Sequence, residues 1–196
     1  MEAGAGGESM NVRQFFAGEK VKLVPLDLEK ELKYWEEWDL DSEYKRLLDD
    51  SPAAPIAGSV AKEQFEENNG SGALFMVHAA ADDRVIGFIE LSGFDWAARS
   101  GWVGIGIGDA EYRGKGFGTE AMQLVLDYAF RGLNLNRVNL NVFAYNKRAI
   151  CSYEKCGFRY EGTQREVIFK EDQRWDVIDM GILRTEWESL QHLPDE

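Results

Sequence analysis

The hydrophobic positions of this chain change period several times, and the changes divide it into elements. Residues 21–26 read as a short strand that stops at Asp27, after which Leu28, Leu32, Trp35 and Trp38 fall on one face at helical spacing. Residues 39–70 are acidic and broken by Ser51-Pro52 and Pro55, so they predict short helices and a loop, the last helix over about 60–67. From residue 73 the period becomes two, and 74–78, 85–91 and 102–107 predict an antiparallel meander joined by polar turns such as Asp82-Asp83. A glycine-rich turn at 113–118 then opens a helix whose Ala121, Leu124, Val125, Tyr128 and Ala129 share one face. A strand over 137–143 places Val138, Leu140 and Val142 on one side. The next helix, 147–156, closes at Gly157, a residue suited to the left-handed conformation of a helix end. Residues 161–169 and 175–183 predict a last hairpin, and 184–190 can be helical.

This order is a mixed α/β layout rather than strict βαβ alternation. It also sets expected boundaries. Residues 1–18 begin with small residues and read as a flexible segment, with Phe15 and Phe16 able to dock on the body; 19–190 read as one domain, and 191–196 as a tail.

Charge narrows the partners. The 22 Lys+Arg against 35 Asp+Glu leave a formal charge of -13, which argues against a nucleic-acid partner and favours cationic ones, although solubility alone also accounts for it. Cys151 and Cys156 lie five apart on one predicted helix and point to different faces, so a bridge between them is disfavoured and a reducing, cytoplasmic location is expected. No apolar run of about 18 residues appears and no signal peptide is read, so no membrane partner is expected. His78 and His192 have no second ligand at metal-binding spacing, so no metal is expected.

The strongest chemical signal is the run Tyr112-Arg113-Gly114-Lys115-Gly116-Phe117-Gly118-Thr119-Glu120, placed between a strand and an amphipathic helix. Alternate glycines leave backbone N–H groups uncovered, and with the positive end of the helix dipole they can hold a pyrophosphate. Arg113 and Lys115 would add charge at its rim. A nucleoside-triphosphate loop would need glycine at 109 and a hydroxyl at 116, where the chain has Asp109 and Gly116. A dinucleotide fold would call for an acid on the next strand, which instead carries Asn139 and Asn141. A helix start that merely needed glycine is the plainest alternative.

Downstream, Asn146-Lys147-Arg148-Ala149-Ile150-Cys151-Ser152-Tyr153-Glu154-Lys155-Cys156-Gly157-Phe158 supplies a second motif. With Arg113, Gly116 and Gly118, it resembles the GNAT superfamily of N-acetyltransferases over roughly 20–187, and the ending 175–187 is similar to its RimJ/RimL-like and spermidine-acetylating branch. That resemblance implies an α/β fold built on a splayed, mostly antiparallel seven-stranded sheet with helices on both faces. It implies acetyl-coenzyme A as cosubstrate, held by Arg113, Gly114, Lys115, Gly116, Phe117, Gly118, Thr119 and Asn146. The pantetheine arm would pair with backbone groups of Ile105, Ile107 and Gly108.

Gly104, Gly106 and Gly108 share one face of that strand, which suits close approach by a ligand or tight packing by another element. The resemblance makes Tyr153 the general acid, and a phenol is protonated at neutral pH; packing in the core is its alternative role. Asn146 also suits a helix N-cap. Glu90 is the first choice of base, with Asp95 and Glu111 behind it and a water relay as the alternative to all three. The cysteines lack a histidine to activate them, so direct transfer in a ternary complex is expected. The acceptor is read as a primary amine, either a protein N-terminus or a small cationic amine. A polyamine or aminoglycoside acceptor and a noncatalytic acyl-coenzyme A-binding module are the alternatives. A homodimer is an expectation of the resemblance alone.

Overall fold

The computed structural model describes residues 15–51, 54 and 72–191, so the helix expected over about 60–67, His192 and residues 1–14 lie outside it. Seven strands form one sheet: β1 (Val21–Pro25), β2 (Ala73–Ala79), β3 (Val85–Asp95), β4 (Ser100–Ile107), β5 (Arg137–Phe143), β6 (Arg159–Lys170) and β7 (Gln173–Leu183). Their spatial order is β1-β2-β3-β4-β5-β7-β6. Each neighbouring pair is antiparallel except β4 with β5. The helices are α1 (Leu28–Asp39), α2 (Ser42–Leu48), α3 (Phe117–Asp127), α4 (Lys147–Lys155) and α5 (Arg184–Leu190).

The period-two pattern sends alternate residues to two cores. On β2, Val77 and Ala79 join Ile89, Leu91 and the α3 residues Ala121, Met122 and Val125. Met76, between them, packs instead with Phe88 of β3 and with Trp38 and Tyr44 of the first helix pair. Helices therefore cover both faces of the sheet. The buried stripe of α3 is Ala121, Met122, Val125 and Leu126, turned slightly from the expected one; Leu124 and Tyr128 are half-buried. A π-helical turn over Tyr128–Gly132 ends the segment, with Leu133 N–H donating to Tyr128 O at 2.9 Å. Gly157 ends α4 at φ +94, where its missing side chain leaves room for Leu190.

The long hairpins run further than their apolar alternation indicates. β3 extends to Asp95 and β6 begins at Arg159, with register shifts at Ser92/Asp95 and Gln164/Ile168 that absorb the polar residues. Phe15 and Phe16 dock on Tyr128, with ring centroids 6.1 and 5.2 Å away, ahead of the boundary expected at 19. No helix among the described residues is long and apolar enough to cross a membrane.

One feature of the topology makes the site. β4 and β5 pair in parallel only from Ser100–Trp102 to Arg137–Asn139. Beyond Trp102 they diverge, and the β5-side edge of Val103–Ile107 has no strand partner.

Candidate active site

The splay opens into a cleft of about 1070 Å³ between the two sheet halves, walled by β4, the 113–118 turn, α3, α4 and the α1–α2 pair. Eight of the residues expected to hold the coenzyme lie on its wall: Ile105, Ile107, Arg113, Gly114, Gly116, Gly118, Thr119 and Asn146. Tyr153 and Glu90 line it too.

At the turn, Gly114 and Gly116 adopt φ of +74 and +89, a backbone that side-chain-bearing residues rarely take. A Cβ at Gly114 would meet nothing within 4 Å, so the backbone there stands open for a reason other than internal packing. Gly116 is the left-handed N-cap of α3 and offers no side-chain cap. The first amides of α3 and its dipole thus face the turn together, which is the arrangement a pyrophosphate needs. Thr119 Oγ1 lies 2.8 Å from Ser152 Oγ and Cys156 Sγ lies 3.6 Å from Thr119 O, so α3 and α4 close against each other behind the cleft.

The charges expected at the rim sit elsewhere. Arg113 turns inward: Nε donates to Ile107 O at 2.8 Å, and Nη2 donates to Gly108 O and to Asp41 Oδ2, the latter at 2.8 Å. Burial opposes charge on Asp41, yet the Tyr44 amide and the Arg113 guanidinium hold its carboxyl below the usual range. The guanidinium therefore ties the end of β4 to the N-cap of α2, and the Ile107 and Gly108 carbonyls are engaged by it rather than free for a pantetheine arm. Lys115, Phe117 and Gly108 lie off the cleft wall. Phe117 packs edge-on to Tyr112 with centroids 4.9 Å apart, and Lys115 O accepts from Lys20 Nζ at 3.2 Å. Cations do reach the cleft, from α4: Arg148 and Lys155 line it without an ion pair among the described residues.

The glycine face of β4 is covered by protein over most of its length. A Cβ on Gly108 would run into the Trp38 ring, and one on Gly106 would lie 2.5 Å from the Tyr44 hydroxyl. A Cβ on Gly104 would stand 3.1 Å from Glu90 Oε1. Packing by α1 and α2 thus accounts for Gly106 and Gly108, and only the Gly104 end opens beside a carboxylate.

Burial raises the Glu90 carboxyl above the ordinary carboxylate value. Burial, with a smaller contribution from Cys156, pushes the Tyr153 phenol up to about 12, so it is fully protonated at neutral pH. Burial likewise moves Cys156 to about 12, while Cys151 is exposed; both are free thiols. Asn146 fills the capping role, its Oδ1 accepting from Ala149 N–H at 3.1 Å while Nδ2 donates to Leu47 O at 3.3 Å. Asp95 holds Ala98 N–H at 2.8 Å near the tip of the β3–β4 hairpin, and Glu111 pairs with Arg84 at 3.3 Å; neither lines the cleft. Trp35, Tyr44, Leu48, Leu74 and Phe88 complete the wall beside Glu90. In the sequence they carried no chemical signal beyond apolar spacing, although three glycines on one strand face do announce that bulky groups from elsewhere lie over them.

Comparison with known proteins matches this architecture. The model of the GNAT acetyltransferase domain matches residues 20–159. An uncharacterized N-acetyltransferase of the SPbeta prophage in Bacillus subtilis, YokL, is 34% identical over 154 residues, covering 78% of this chain and 85% of its own. The spermidine N(1)-acetyltransferase of Escherichia coli K12 is 30% identical over 176 residues, covering 90% of this chain and 92% of its own. A crystal structure of the Vibrio cholerae spermidine N-acetyltransferase, in complex with CoA and spermine, superposes with a TM-score of 0.78 at 26% identity, over 87% of this chain and 99% of that one. With the family model spanning most of the chain and the splayed sheet and glycine turn in place, the chain belongs to the GNAT acetyltransferase family and is an N-acetyltransferase.

Proposed function

We propose that this protein transfers the acetyl group of acetyl-coenzyme A directly to a primary amine within a ternary complex, with Glu90 as base and Tyr153 as acid. The observation that carries the reading is the placement of both groups on the wall of one cleft whose floor is an unpaired strand edge. The coenzyme supplies an activated acetyl group as a thioester. The uncovered turn at Gly114 and Gly116 and the N-terminus of α3 suit its pyrophosphate, and Arg148 and Lys155 of α4 supply positive charge on the cleft wall. The open edge of β4 from Val103 to Gly106 offers backbone groups to the pantetheine arm, and an N–H there suits the oxyanion.

In the transfer, Glu90 takes a proton from the attacking amine, whose nitrogen forms the new C–N bond. The C–S bond breaks, and the Tyr153 hydroxyl donates its proton to the departing thiolate. A phenol raised to about 12 keeps that proton at neutral pH until sulfur demands it. Among the described residues the exposed Cys151 and the buried, protonated Cys156 have no histidine paired to either, which supports direct transfer over an acyl-enzyme.

Tyr153→Phe removes the oxygen and keeps the ring. The single-turnover rate of the variant is expected to fall by about 10²–10⁴-fold with acetyl-coenzyme A affinity and Tm nearly unchanged. A rate within about fivefold of wild type in folded variant overturns the acid role.

A further inference from the structure

The described lining of the cleft is not acidic, although the chain is. Among the described residues, three acids line it, Asp39, Asp49 and Glu90, against four cations, Lys45, Arg113, Arg148 and Lys155. Two of the acids are already engaged. Lys45, with a side chain only 9% exposed, bonds Asp39 at 3.3 Å and Asp49 at 2.7 Å. Burial opposes the charge on this lysine, but Asp49 and then Asp39 more than offset it and raise its pKa, so the ammonium persists and stays with them. Asp41, just outside the cleft wall, is bound to Arg113 at 2.8 Å. Glu90 is left as the one cleft-lining carboxylate without a cation among the described residues.

A second polar group stands beside it. Tyr44 is 5% exposed, lines the cleft, and its hydroxyl makes no hydrogen bond with any described residue. Buried hydroxyls are nearly always paired, so a lone one at a cleft wall marks a place where a ligand group completes the bond. The Tyr44 hydroxyl lies over Gly106 and the Glu90 carboxylate over Gly104, same-face positions one pleat apart, roughly 7 Å along the strand. Two N–H···O bonds of about 2.9 Å on one tetrahedral nitrogen span about 4.7 Å, so the two side chains need to close by roughly 2 Å over a bound amine. Around the pair the wall is apolar: Trp35, Leu48, Leu74 and Phe88.

We propose that Tyr44 and Glu90 form the acceptor subsite, which holds a single primary amine carried on an apolar or aromatic body. The Tyr44 oxygen accepts one N–H of the amine while Glu90 accepts another and takes the proton that transfer releases. Trp35, Leu48, Leu74 and Phe88 enclose the body of the substrate. A polyamine fits this subsite poorly, because its second and third ammonium groups would meet apolar walls or acids already bound to Lys45. This assignment rests on the acetyltransferase reading above and narrows it. Its chemistry can come from a free monoamine or from a peptide whose first residue is apolar.

The test is thiol release from acetyl-coenzyme A with three acceptors: 2-phenylethylamine, a hexapeptide with phenylalanine first, and spermidine. At least one of the two monoamines is expected to exceed spermidine in kcat/KM by about tenfold or more, and the better of them names the source. Tyr44→Phe is expected to raise the KM of that amine by about tenfold, with kcat within about threefold and the KM of acetyl-coenzyme A unchanged. Because the oxygen removed has no partner among the described residues, Tm should hold or rise, whereas a structural hydroxyl would lower it. Spermidine as the preferred substrate, or an amine KM within about twofold of wild type in Tyr44→Phe, overturns the subsite while leaving acetyl transfer standing. Absence of thiol release with every amine removes both readings.

Discussion

On one face of β4, Val103 and Ile105 pack into the core that α3 closes and Ile107 lies against Gly118 of α3, next to the uncovered turn; on the other, Gly104, Gly106 and Gly108 lie under Glu90, Tyr44 and Trp38. The first face is built from bulky residues and is completed by neighbours close in the chain. The second is built by subtraction, and its contents arrive from α1, α2 and β3. On the proposed reading, a single strand separates a coenzyme side whose specificity resides in backbone from an acceptor side whose specificity resides in side chains.

Three substitutions strain that division, and they differ in what they should break. The largest effect is expected from Glu90→Gln, which removes the proposed base and keeps the shape: the chemical step should slow by about 10²–10⁴-fold, or roughly 3–5 kcal/mol, with coenzyme affinity intact. The same change has a stability signature. Burial raises the Glu90 carboxyl, so the folded chain holds this proton more tightly than the unfolded one. Stability from the group is full below the ordinary carboxylate value and is lost as pH rises through the raised one. Glu90→Gln should therefore gain Tm over wild type at pH 8 and little at pH 4, as calorimetry at the two values would show.

Next in size is Gly108→Ala, whose new methyl runs into the Trp38 ring and should destabilise by about 1–3 kcal/mol, read as a lower urea midpoint. The surviving folded protein should bind acetyl-coenzyme A normally. Smallest is Gly118→Ala, where the methyl meets Ile107 at an ordinary 3.4 Å. Stability should hold, while titration calorimetry should show coenzyme affinity weakened by about tenfold, near 1.4 kcal/mol, because Gly118 lines the cleft. Matching phenotypes from the two alanines would erase the distinction between the faces.

The glycine turn and the helix proposed for the coenzyme were legible as local units in the sequence because their parts are contiguous. The glycine turn and the Asn146-to-Phe158 run each fold as one local unit, and period-two and helical patterns place them after a strand and on a helix. What the run Arg113-Gly114-Lys115 does not disclose is where its charges point. Arg113 turns inward because Asp41 waits 72 residues earlier in the chain, and no local pattern encodes that meeting. The proposed acceptor side was obscure for the same reason. Trp35, Tyr44, Leu74 and Phe88 come from four elements and read individually as core residues, which Phe88 and Tyr44 also are. The overall charge of -13 pointed to a cationic partner, but at the cleft the acids Asp39 and Asp49 share Lys45, so net charge misstates the local field.

The central claim is that this cleft transfers an acetyl group and does not merely bind its carrier. The most direct measurement follows thiol release and amide formation together in wild-type protein, with acetyl-coenzyme A and a saturating primary amine. One thiol should appear for each acetylated amine, at a rate that depends on both substrates, with no burst of thiol before the amine is added. Saturable binding of acetyl-coenzyme A with no thiol released across the amine panel would contradict it and mark the protein as an acyl-coenzyme A-binding module.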